Sequence, residues 1–226
     1  MTPIAHLRTA YPEKFGVPRQ SRLVPSAQAR LVFEPPYRHE DCIRGLDAFT
    51  HLWLIWEFSR NAGHPWNPTV RPPRLGGNTR LGVFATRSPF RPNPIGLSAV
   101  VLEGIDRDTP EGPILLIRGA DLVDGTPIYD IKPYIPYADS IPEATGGFTD
   151  SEQWQPLETA FAPGLELPPA CTPAWRQTLI ETLAQDPRPA YQNDPDRLYH
   201  LILSPCEITF RVVGSAAIVT AVSLHG

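Results

Sequence analysis

The stretch Gly82–Ser98 reads GVFATRSPFRPNPIGLS, with three of its seventeen residues being proline. Each proline fixes its own φ and pushes the residue before it towards extended geometry. The first five residues, Gly82–Thr86, are predicted to be the end of one strand, and another strand is predicted to begin at Leu97. The middle is therefore expected to be a stiff loop between two strands, which holds Arg87, Arg91 and Asn93 in set directions before any ligand binds.

Short apolar runs continue on both sides of this loop, separated by Pro/Gly turns. The run HLWLIWEF at His51–Phe58 predicts a central strand buried on both faces, although a short core helix is an alternative. Further strands are predicted at Ile4–Thr9, Leu31–Glu34, Leu97–Ile105 and Ile114–Arg118. Because strand follows strand without alternating helices, the pattern indicates an antiparallel barrel or sandwich rather than a doubly wound sheet.

The composition changes after residue 145. Residues 146–170 are rich in Gly, Pro, Glu and Thr without periodicity, and we expect a linker there. A helix is predicted at Thr172–Gln185, with Thr172 as its N-cap and an apolar stripe facing a core. Three strands are predicted after it, so residues 171–226 are expected to form a small α+β domain. These strands are Leu198–Leu203, Glu207–Val213 and Ala216–Leu224, the last two joined by a tight turn.

The chain of 226 residues has a globular composition, with 42% hydrophobic and 19% charged residues. No apolar run approaches the roughly 20 residues of a membrane span, and the first residues lack a signal-peptide pattern. We therefore expect no membrane partner and a cytoplasmic location. Three isolated cysteines, Cys42, Cys171 and Cys206, indicate neither a disulfide framework nor a zinc site, and free buried thiols and no bound metal are expected.

The formal net charge of −4 is unevenly distributed. No acidic residue lies between Glu57 and Glu103, whereas six arginines do, and a second acid-free window spans Lys14–Phe33. A solvated basic surface is one interpretation, and the other is a site for an anionic partner such as nucleic acid. The arginines of the first window are Arg60, Arg71, Arg74, Arg80, Arg87 and Arg91.

Several common enzyme signatures are missing from the sequence. It contains no G-x-G-x-x-G after a strand, no P-loop, no G-x-S-x-G and no H-E-x-x-H. A nucleotide cofactor would therefore need a pocket of another type than the Rossmann fold.

The proline-rich loop, KFGVPRQ at Lys14–Gln20, TVRPPRLGGN at Thr69–Asn78 and DLVDG at Asp121–Gly125 together closely resemble the signatures of the TsaA-like (TrmO) family. The resemblance implies a non-Rossmann β-barrel methyltransferase that uses S-adenosylmethionine and methylates N6 of threonylcarbamoyladenosine at tRNA position 37, beside the anticodon. It also implies a homodimer that closes the cofactor pocket. We accordingly expect a mainly β fold, with the barrel at residues 1–145 and a C-terminal domain that assists tRNA binding.

The resemblance also implies a set of cofactor-binding residues, carried over position by position. Two members, Ser59 and Arg60, stand where many relatives carry His-Gln, so their part in the pocket is left open. The implied set is Pro18, Arg19, Gln20, Ser59, Arg60, Arg87, Leu97, Asp121, Leu122, Val123 and Asp124.

The acceptor nitrogen of this reaction is a poor nucleophile until its proton leaves, so a base or a proton path is expected. Asp124, Asp130 and Tyr129 are the catalytic candidates by position. Much of the acceleration can also come from alignment of the methyl group with the nitrogen.

Two other functions are compatible with the same motifs. One is a non-catalytic RNA-binding or regulatory module, and the other is a small-molecule methyltransferase on the same barrel. The intact loop and the intact DLVDG run favour catalysis, whereas the arginine windows and the C-terminal domain favour an RNA acceptor.

Overall fold

The structure, a computed structural model, describes residues 1–61, 63–72, 75, 79–151, 155–189 and 192–226. Six strands close an antiparallel barrel in the order β1-β2-β7-β6-β3-β8, which confirms the predicted mainly β fold class. They are β1 (Ala5–Thr9), β2 (Gln28–Phe33), β3 (His51–Glu57), β6 (Ile95–Asp106), β7 (Ile114–Arg118) and β8 (Thr126–Pro133); β4 (Thr69–Val70) and β5 (Leu81–Gly82) pair separately.

Strand β3 shows how the barrel uses its apolar residues. Leu52, Leu54 and Trp56 point inside and are buried, while Trp53 and Ile55 on the outer face are only half-buried. The prediction that this strand is buried on both faces is therefore wrong. In a small closed barrel one face of each strand fills the interior and the other faces outward, so even an uninterrupted apolar run has an outer side.

Close packing inside the barrel depends on Gly96 of β6. A Cβ atom added at Gly96 would lie 2.2 Å from Cε2 of Trp56, because the indole ring rests directly on the glycine backbone. Trp56 and Gly96 are paired residues on the neighbouring strands β3 and β6. The glycine of the PNPIGLS run therefore makes room for a core tryptophan.

The proline-rich loop begins differently from its prediction. Strand β5 ends at Gly82, and residues Val83–Ala85 form a short 3-10 turn instead of continuing the strand. Strand β6 begins at Ile95, two residues earlier than predicted. The neighbouring residue Arg74, in the first arginine window, lies outside the described residues.

The C-terminal part forms a second sheet in the order β10-β11-β12-β9. Helix α4 (Pro173–Ala184) packs on it, and the Thr172 hydroxyl caps the helix by accepting from the Trp175 amide, as predicted. Strand β9 is not predicted from the sequence pattern; it lies within the segment expected to be a linker and pairs parallel with β12. The sheet therefore has four strands rather than three: β9 (Glu158–Phe161), β10 (Tyr199–Leu203), β11 (Cys206–Val213) and β12 (Ala216–Leu224).

The segment 10–27, which follows β1, belongs to this second core and not to the barrel interior. Tyr11 is buried, and its hydroxyl hydrogen-bonds to that of Thr182 on α4 at 2.9 Å. A Cβ atom at Gly16, whose φ is +91°, would lie 2.0 Å from Cδ1 of Leu201. The predicted domain boundaries place this segment in the barrel domain, because nothing in a local pattern shows which core a loop packs against.

Other described elements are short. They are α1 (Glu40–Ile43), α2 (Pro136–Asp139) and α3 (Phe148–Ser151). No helix in the described part of the chain is long and apolar enough to cross a membrane. Cys206 is buried and its sulfur lies 3.4 Å from that of half-buried Cys171, whereas Cys42 is exposed, contrary to the expectation of three buried thiols.

We predict that Gly96→Ala lowers the free energy of unfolding by about 1–3 kcal/mol, because the new methyl group overpacks the Trp56 site. The measurement is urea denaturation of the variant and the wild type. Gly104→Ala on the same strand is the matched control, since a Cβ atom there meets nothing within 4 Å. Equal stabilities of the two variants would show that Trp56 moves freely away from the glycine.

Candidate functional site

A chain of hydrogen bonds leads from the barrel core to Asp121. The indole Nε1–H of Trp56 donates to Oγ of Ser98 at 2.9 Å, and the Ser98 hydroxyl donates to Oδ1 of Asp121 at 2.5 Å. An indole N–H only donates, so the single hydroxyl proton of Ser98 is free to point at the carboxylate. Asp121 lies in the turn between β7 and β8, and these two consecutive hydrogen bonds fix the orientation of its carboxylate.

The environment of Asp121 perturbs its ionisation. Burial raises the pKa of this carboxyl to about 6, and the bond from Ser98, the charge of Arg87 and the backbone amides of Asp121 and Ser21 partly oppose that rise. At neutral pH the group is mostly ionised but can still take up a proton. A carboxyl with such a pKa, held in a fixed direction, is suited to bind a cation or to exchange a proton.

Arg87 and Gln20, both in the expected cofactor set, meet beside Asp121. The Arg87 Nη1 donates to Oε1 of Gln20, although the two residues are 67 positions apart. The Gln20 amide in turn donates to the carbonyl of Arg19 at 2.6 Å. The structure therefore brings Gln20, Arg87 and Asp121 together from three separate motifs, with Ser98 supporting them.

Arg19 makes a different contact from the one expected of a cofactor ligand. Its Nη2 donates to the carbonyls of Asp186 at 3.1 Å and Arg188 at 3.4 Å. Pro18 beside it is buried. These contacts join the KFGVPRQ loop to the connector that follows α4, so the loop links the site to the C-terminal domain.

Leu97, Asp130 and Tyr129 lie around β3 on the outer surface of the barrel. Leu97 is 54% exposed and pairs with Ile55, which in turn pairs with Asp130 on β8. Because alternate residues of a strand face opposite sides, Leu97 points outward between Gly96 and Ser98, which point inward. These candidates therefore form a group on the outer wall, distinct from the Asp121 cluster.

The catalytic candidates Tyr129 and Asp130 are both engaged. The Tyr129 hydroxyl donates to Glu57, and this bond to a carboxylate raises the pKa of Tyr129 to about 12. A phenol with that pKa is a poor base at neutral pH. Asp130 accepts from the amide of Ile131 at 2.9 Å and lies 3.0 Å from the Lys132 ammonium.

Asp124, the third catalytic candidate, holds the end of β1. Its Oδ1 accepts from the backbone N–H of Thr9 at 2.9 Å, and its Oδ2 lies 3.7 Å from Nη1 of Arg8. Leu122 and Val123 before it are engaged through their carbonyls, which accept from the hydroxyls of Thr9 and Thr126. This part of DLVDG therefore organises the turn, and its direct part in a site stays a prediction.

Ser59 and Arg60 lie in a 3-10 turn that directly follows β3, and both are exposed. The Arg60 Nη2 donates to the carbonyl of Pro12 at 2.9 Å, and Lys14 donates to the Asn61 side chain at 2.6 Å. The Lys14 ammonium, which also donates to the carbonyl of Arg60 at 3.4 Å, therefore ties the second basic window to the first. No cluster of three or more metal-ligating side chains occurs among the residues that the structure describes.

Ser98 and Trp56 belong to the Asp121 cluster, which the sequence pattern does not reveal. The pattern predicts Trp56 only as a core residue and places Ser98 only at the end of the motif. One signal was available, since Gly96 and Ser98 are small residues at the inward positions of an otherwise apolar strand. The hydrogen bond to Asp121, 23 residues away, is a tertiary contact that no local pattern contains.

Comparison with known proteins covers almost the whole chain. Residues 6–140 match the tRNA-methyltransferase O N-terminal domain and residues 157–225 match the TrmO C-terminal domain. A tRNA (adenine(37)-N6)-methyltransferase of Escherichia coli is 44% identical over 217 residues, which is 92% of this chain and 91% of that protein.

Two further matches come from Pseudomonas aeruginosa. One, named as an S-adenosylmethionine-dependent methyltransferase, is 41% identical over 210 residues, 88% of this chain and 86% of that protein. The other is a crystal structure of TrmO with a TM-score of 0.77 and 30% identity, covering 98% of this chain and 96% of that one.

We predict that Asp121→Asn stabilises the fold at pH 7, by up to about 3 kcal/mol, because it removes the cost of ionising a buried carboxyl. The pKa is raised from 3.8 to about 6, so the native state holds the proton more tightly than the unfolded state does. The free energy of unfolding should therefore fall in the wild type as the pH rises from about 4 to about 6, and this fall should be absent in the variant.

Urea denaturation between pH 4 and pH 8 measures this difference. Asp108→Asn, at an exposed position in the turn after β6, is the control and should follow the wild type. An Asp121→Asn variant that is less stable than the wild type at pH 7 would contradict this prediction. It would show that the ionised carboxylate stabilises the folded state.

Proposed function

The chain belongs to the tRNA-methyltransferase O family, and from this premise we propose that it methylates N6 of adenosine 37 in tRNA with S-adenosylmethionine as methyl donor. It is an enzyme of the methyltransferase class, as are its close relatives. The threonylcarbamoyl derivative of adenosine 37 is the acceptor that the motif resemblance implies. The observation that carries the proposal is that the family match spans both domains and that three of its motifs meet at Asp121.

The residues around Asp121 fit S-adenosylmethionine, which supplies an activated methyl group when bound. The Arg87 guanidinium can donate a forked pair of hydrogen bonds to a carboxylate, and Gln20 beside it adds an amide. The Asp121 carboxylate can accept from an ammonium or from ribose hydroxyls. Leu97 lies on the outer wall, apart from this cluster, so its assignment to the cofactor rests on the motif resemblance.

The reaction also needs a group that takes the proton from N6. With a pKa of about 6 and one oxygen bound by Ser98, Asp121 is better suited to this role than Tyr129, whose pKa is about 12. Asp121 was assigned to the cofactor from the motif. Binding of the donor and acceptance of the proton are separable roles, since only the first affects the affinity for S-adenosylmethionine.

Exposed arginines support an RNA acceptor over a small molecule. Arg71 and Arg80 follow β4 and precede β5, and neither makes an ion pair or hydrogen bond with any described residue. In contrast, Arg107 is paired with Glu40 and Asp47. Exposed arginines without a partner among the described residues create a local positive surface on an acidic protein, which suits contacts with phosphates.

A homodimer is part of the proposal and rests on the outer face of the barrel. Ile95 and Leu97 of β6 are exposed there, next to the half-buried Ile55 and Trp53 of β3. An exposed apolar surface on a barrel wall indicates a contact with another molecule. A second copy placed on it would also cover the cofactor next to Leu97. We further propose a cytoplasmic location, where tRNA is modified.

We predict that the purified protein binds S-adenosylmethionine and converts N6-threonylcarbamoyladenosine of tRNA to its N6-methyl form. Arg87→Ala should weaken S-adenosylmethionine binding by about 1.5–3 kcal/mol through the loss of a charge-assisted hydrogen bond. Calorimetry measures the binding, and mass spectrometry of nucleosides from treated tRNA measures the product. Arg44→Ala, which removes an exposed arginine paired with Asp41, is the control.

The alternatives make different predictions in the same experiment. Binding of S-adenosylmethionine without methylation of tRNA would favour a small-molecule acceptor, and no binding would favour a non-catalytic RNA-binding module. Asp121→Asn distinguishes the two roles of that residue. Normal affinity with slow single-turnover methylation indicates proton transfer, whereas weak affinity indicates cofactor binding.

We predict a dimer in solution, with twice the 25.1 kDa mass of the chain, that is disrupted by Ile95→Glu. The carboxylate would be placed in an apolar contact without a partner, which is costly. Light scattering after size exclusion measures the mass. Leu224→Glu, at an exposed position at the end of β12, should leave the dimer intact. A wild type that is monomeric and fully active at high dilution would contradict the dimer.

A further inference from the structure

A cavity of about 180 Å³ lies beside the barrel between two loops. One wall is formed by the segment after β3, with His64 and Trp66, and the other by the proline-rich loop, with Phe90 and Arg91. Of the described residues that line this cavity, none belongs to the expected cofactor set. The cavity is therefore a feature that the proposed site does not account for.

The cavity is next to the candidate site because of strand pairing. Glu57 at the end of β3 pairs with Ile95 at the start of β6, so the loop leaving β3 and the loop entering β6 lie side by side. The Phe58 amide donates to the carbonyl of Pro94 at 2.8 Å at the base of the two walls. Ser59 lies at the start of one wall and Arg87 shortly before the other.

The two walls are stiff. Pro65, Pro89, Pro92 and Pro94 line the cavity and restrict the backbone on both sides. Arg91 donates to the carbonyls of its own loop, to Thr86 at 3.0 Å and to Ser88 at 3.4 Å. The cavity is therefore formed before a ligand arrives, which reduces the entropic cost of binding.

The chemistry of the cavity suits a flat ring. Trp66 is 51% exposed and Phe90 45% exposed, and the His64 ring lies edge-on to Phe90 at 6.4 Å. Exposed aromatic side chains in RNA-binding proteins stack on unpaired bases of loops. The volume is below the roughly 300–1,000 Å³ of typical small-molecule pockets, so a single ring system fits better than a whole nucleoside cofactor.

The charge around the cavity favours RNA as the source of that ring. Both walls lie in the segment between Glu57 and Glu103, which contains no acidic residue. Arg91 is in one wall, and the exposed Arg60 is in the turn that leads into the other. A base bound here would have its phosphates in a positive surrounding.

We propose that this cavity binds an unpaired nucleobase of the RNA substrate, a neighbour of the base that is methylated, by stacking on Trp66 and Phe90. The methylated base itself must reach the Asp121 cluster, whose members do not line the cavity. The inference rests on the proposed tRNA substrate. The cavity would give the RNA a second point of attachment to the protein. This contact would hold the anticodon loop of the RNA in position while the target base is at the methyl donor.

The test uses an RNA hairpin with the sequence of the tRNA anticodon arm and a set of hairpins that each lack one base of the loop. In the wild type, removal of the base that occupies the cavity should weaken binding roughly 5- to 150-fold, the range for the loss of one stacked base. In Trp66→Ala and Phe90→Ala the intact hairpin should bind as weakly as that abasic hairpin does, and removal of the same base should have no further effect. Trp66→Phe should restore the difference.

Two controls separate RNA binding at the cavity from general effects on the protein and from binding of S-adenosylmethionine. Phe49→Ala removes an exposed aromatic side chain before the start of β3, at the other end of the strand, and should behave as the wild type. Affinity for S-adenosylmethionine should be unchanged in all four variants. Methylation of tRNA by the wild type tests the proposed function independently of the cavity.

Three results would overturn the inference. The first is that no loop position shows a coupled loss with Trp66 or Phe90, and the second is that the wild type does not bind the hairpin. The third is a change of oligomeric mass in Trp66→Ala without any effect on RNA binding, which would assign the cavity to a second copy of the chain. RNA binding that shows the coupled loss without any methylation would overturn only the proposed function.

Discussion

The contact between Trp56 and Gly96 connects the stability of the barrel with the candidate site. The indole ring of Trp56 packs on the backbone of Gly96 in strand β6. Its N–H donates a hydrogen bond to Ser98, two residues after Gly96 in that strand. Ser98 can then direct its own proton to Asp121. A single core side chain thus helps to fix the direction of the Asp121 carboxylate. Because the ring is enclosed by well-packed strands, the carboxylate is held without help from a ligand.

Burial of Asp121 has a cost that its immediate neighbours offset only in part. The raised pKa shows that the surroundings disfavour the charged form, although Arg87, Ser98 and two backbone amides partly stabilise it. Large perturbations of this kind are concentrated at functional sites, where a group is kept ready for chemistry at the expense of stability. The cluster of Gln20, Arg87 and Asp121 is therefore a better guide to the site than the acids on the outer wall, which are already paired.

The two domains are linked through the segment 10–27. This segment leaves β1 of the barrel, and its apolar residues Tyr11, Val24 and Ala27 are buried in the second core. Ser26 donates to Glu181 of α4 at 2.7 Å, and Arg19 bonds the carbonyls after α4. Gln20 of the same segment contacts Arg87. The C-terminal domain is therefore connected to Gln20 and Arg87 through a continuous set of contacts.

The amino-acid pattern is enough to predict the class of fold, the helix α4 with its cap, most strand positions and the motifs of the family. These follow from short-range causes such as side-chain alternation, the rigidity of proline and the capping preference of threonine. Long-range contacts are needed to show which core the segment 10–27 joins, that β9 completes the second sheet, and that Leu97 and Asp121 face different sides of the barrel wall. These outcomes depend on barrel closure and on contacts between residues tens of positions apart, such as Gln20 with Arg87 and Ser98 with Asp121. A local sequence pattern predicts whether a segment is a helix, strand or loop, but not which distant segment it contacts. The candidate site is formed by such distant contacts.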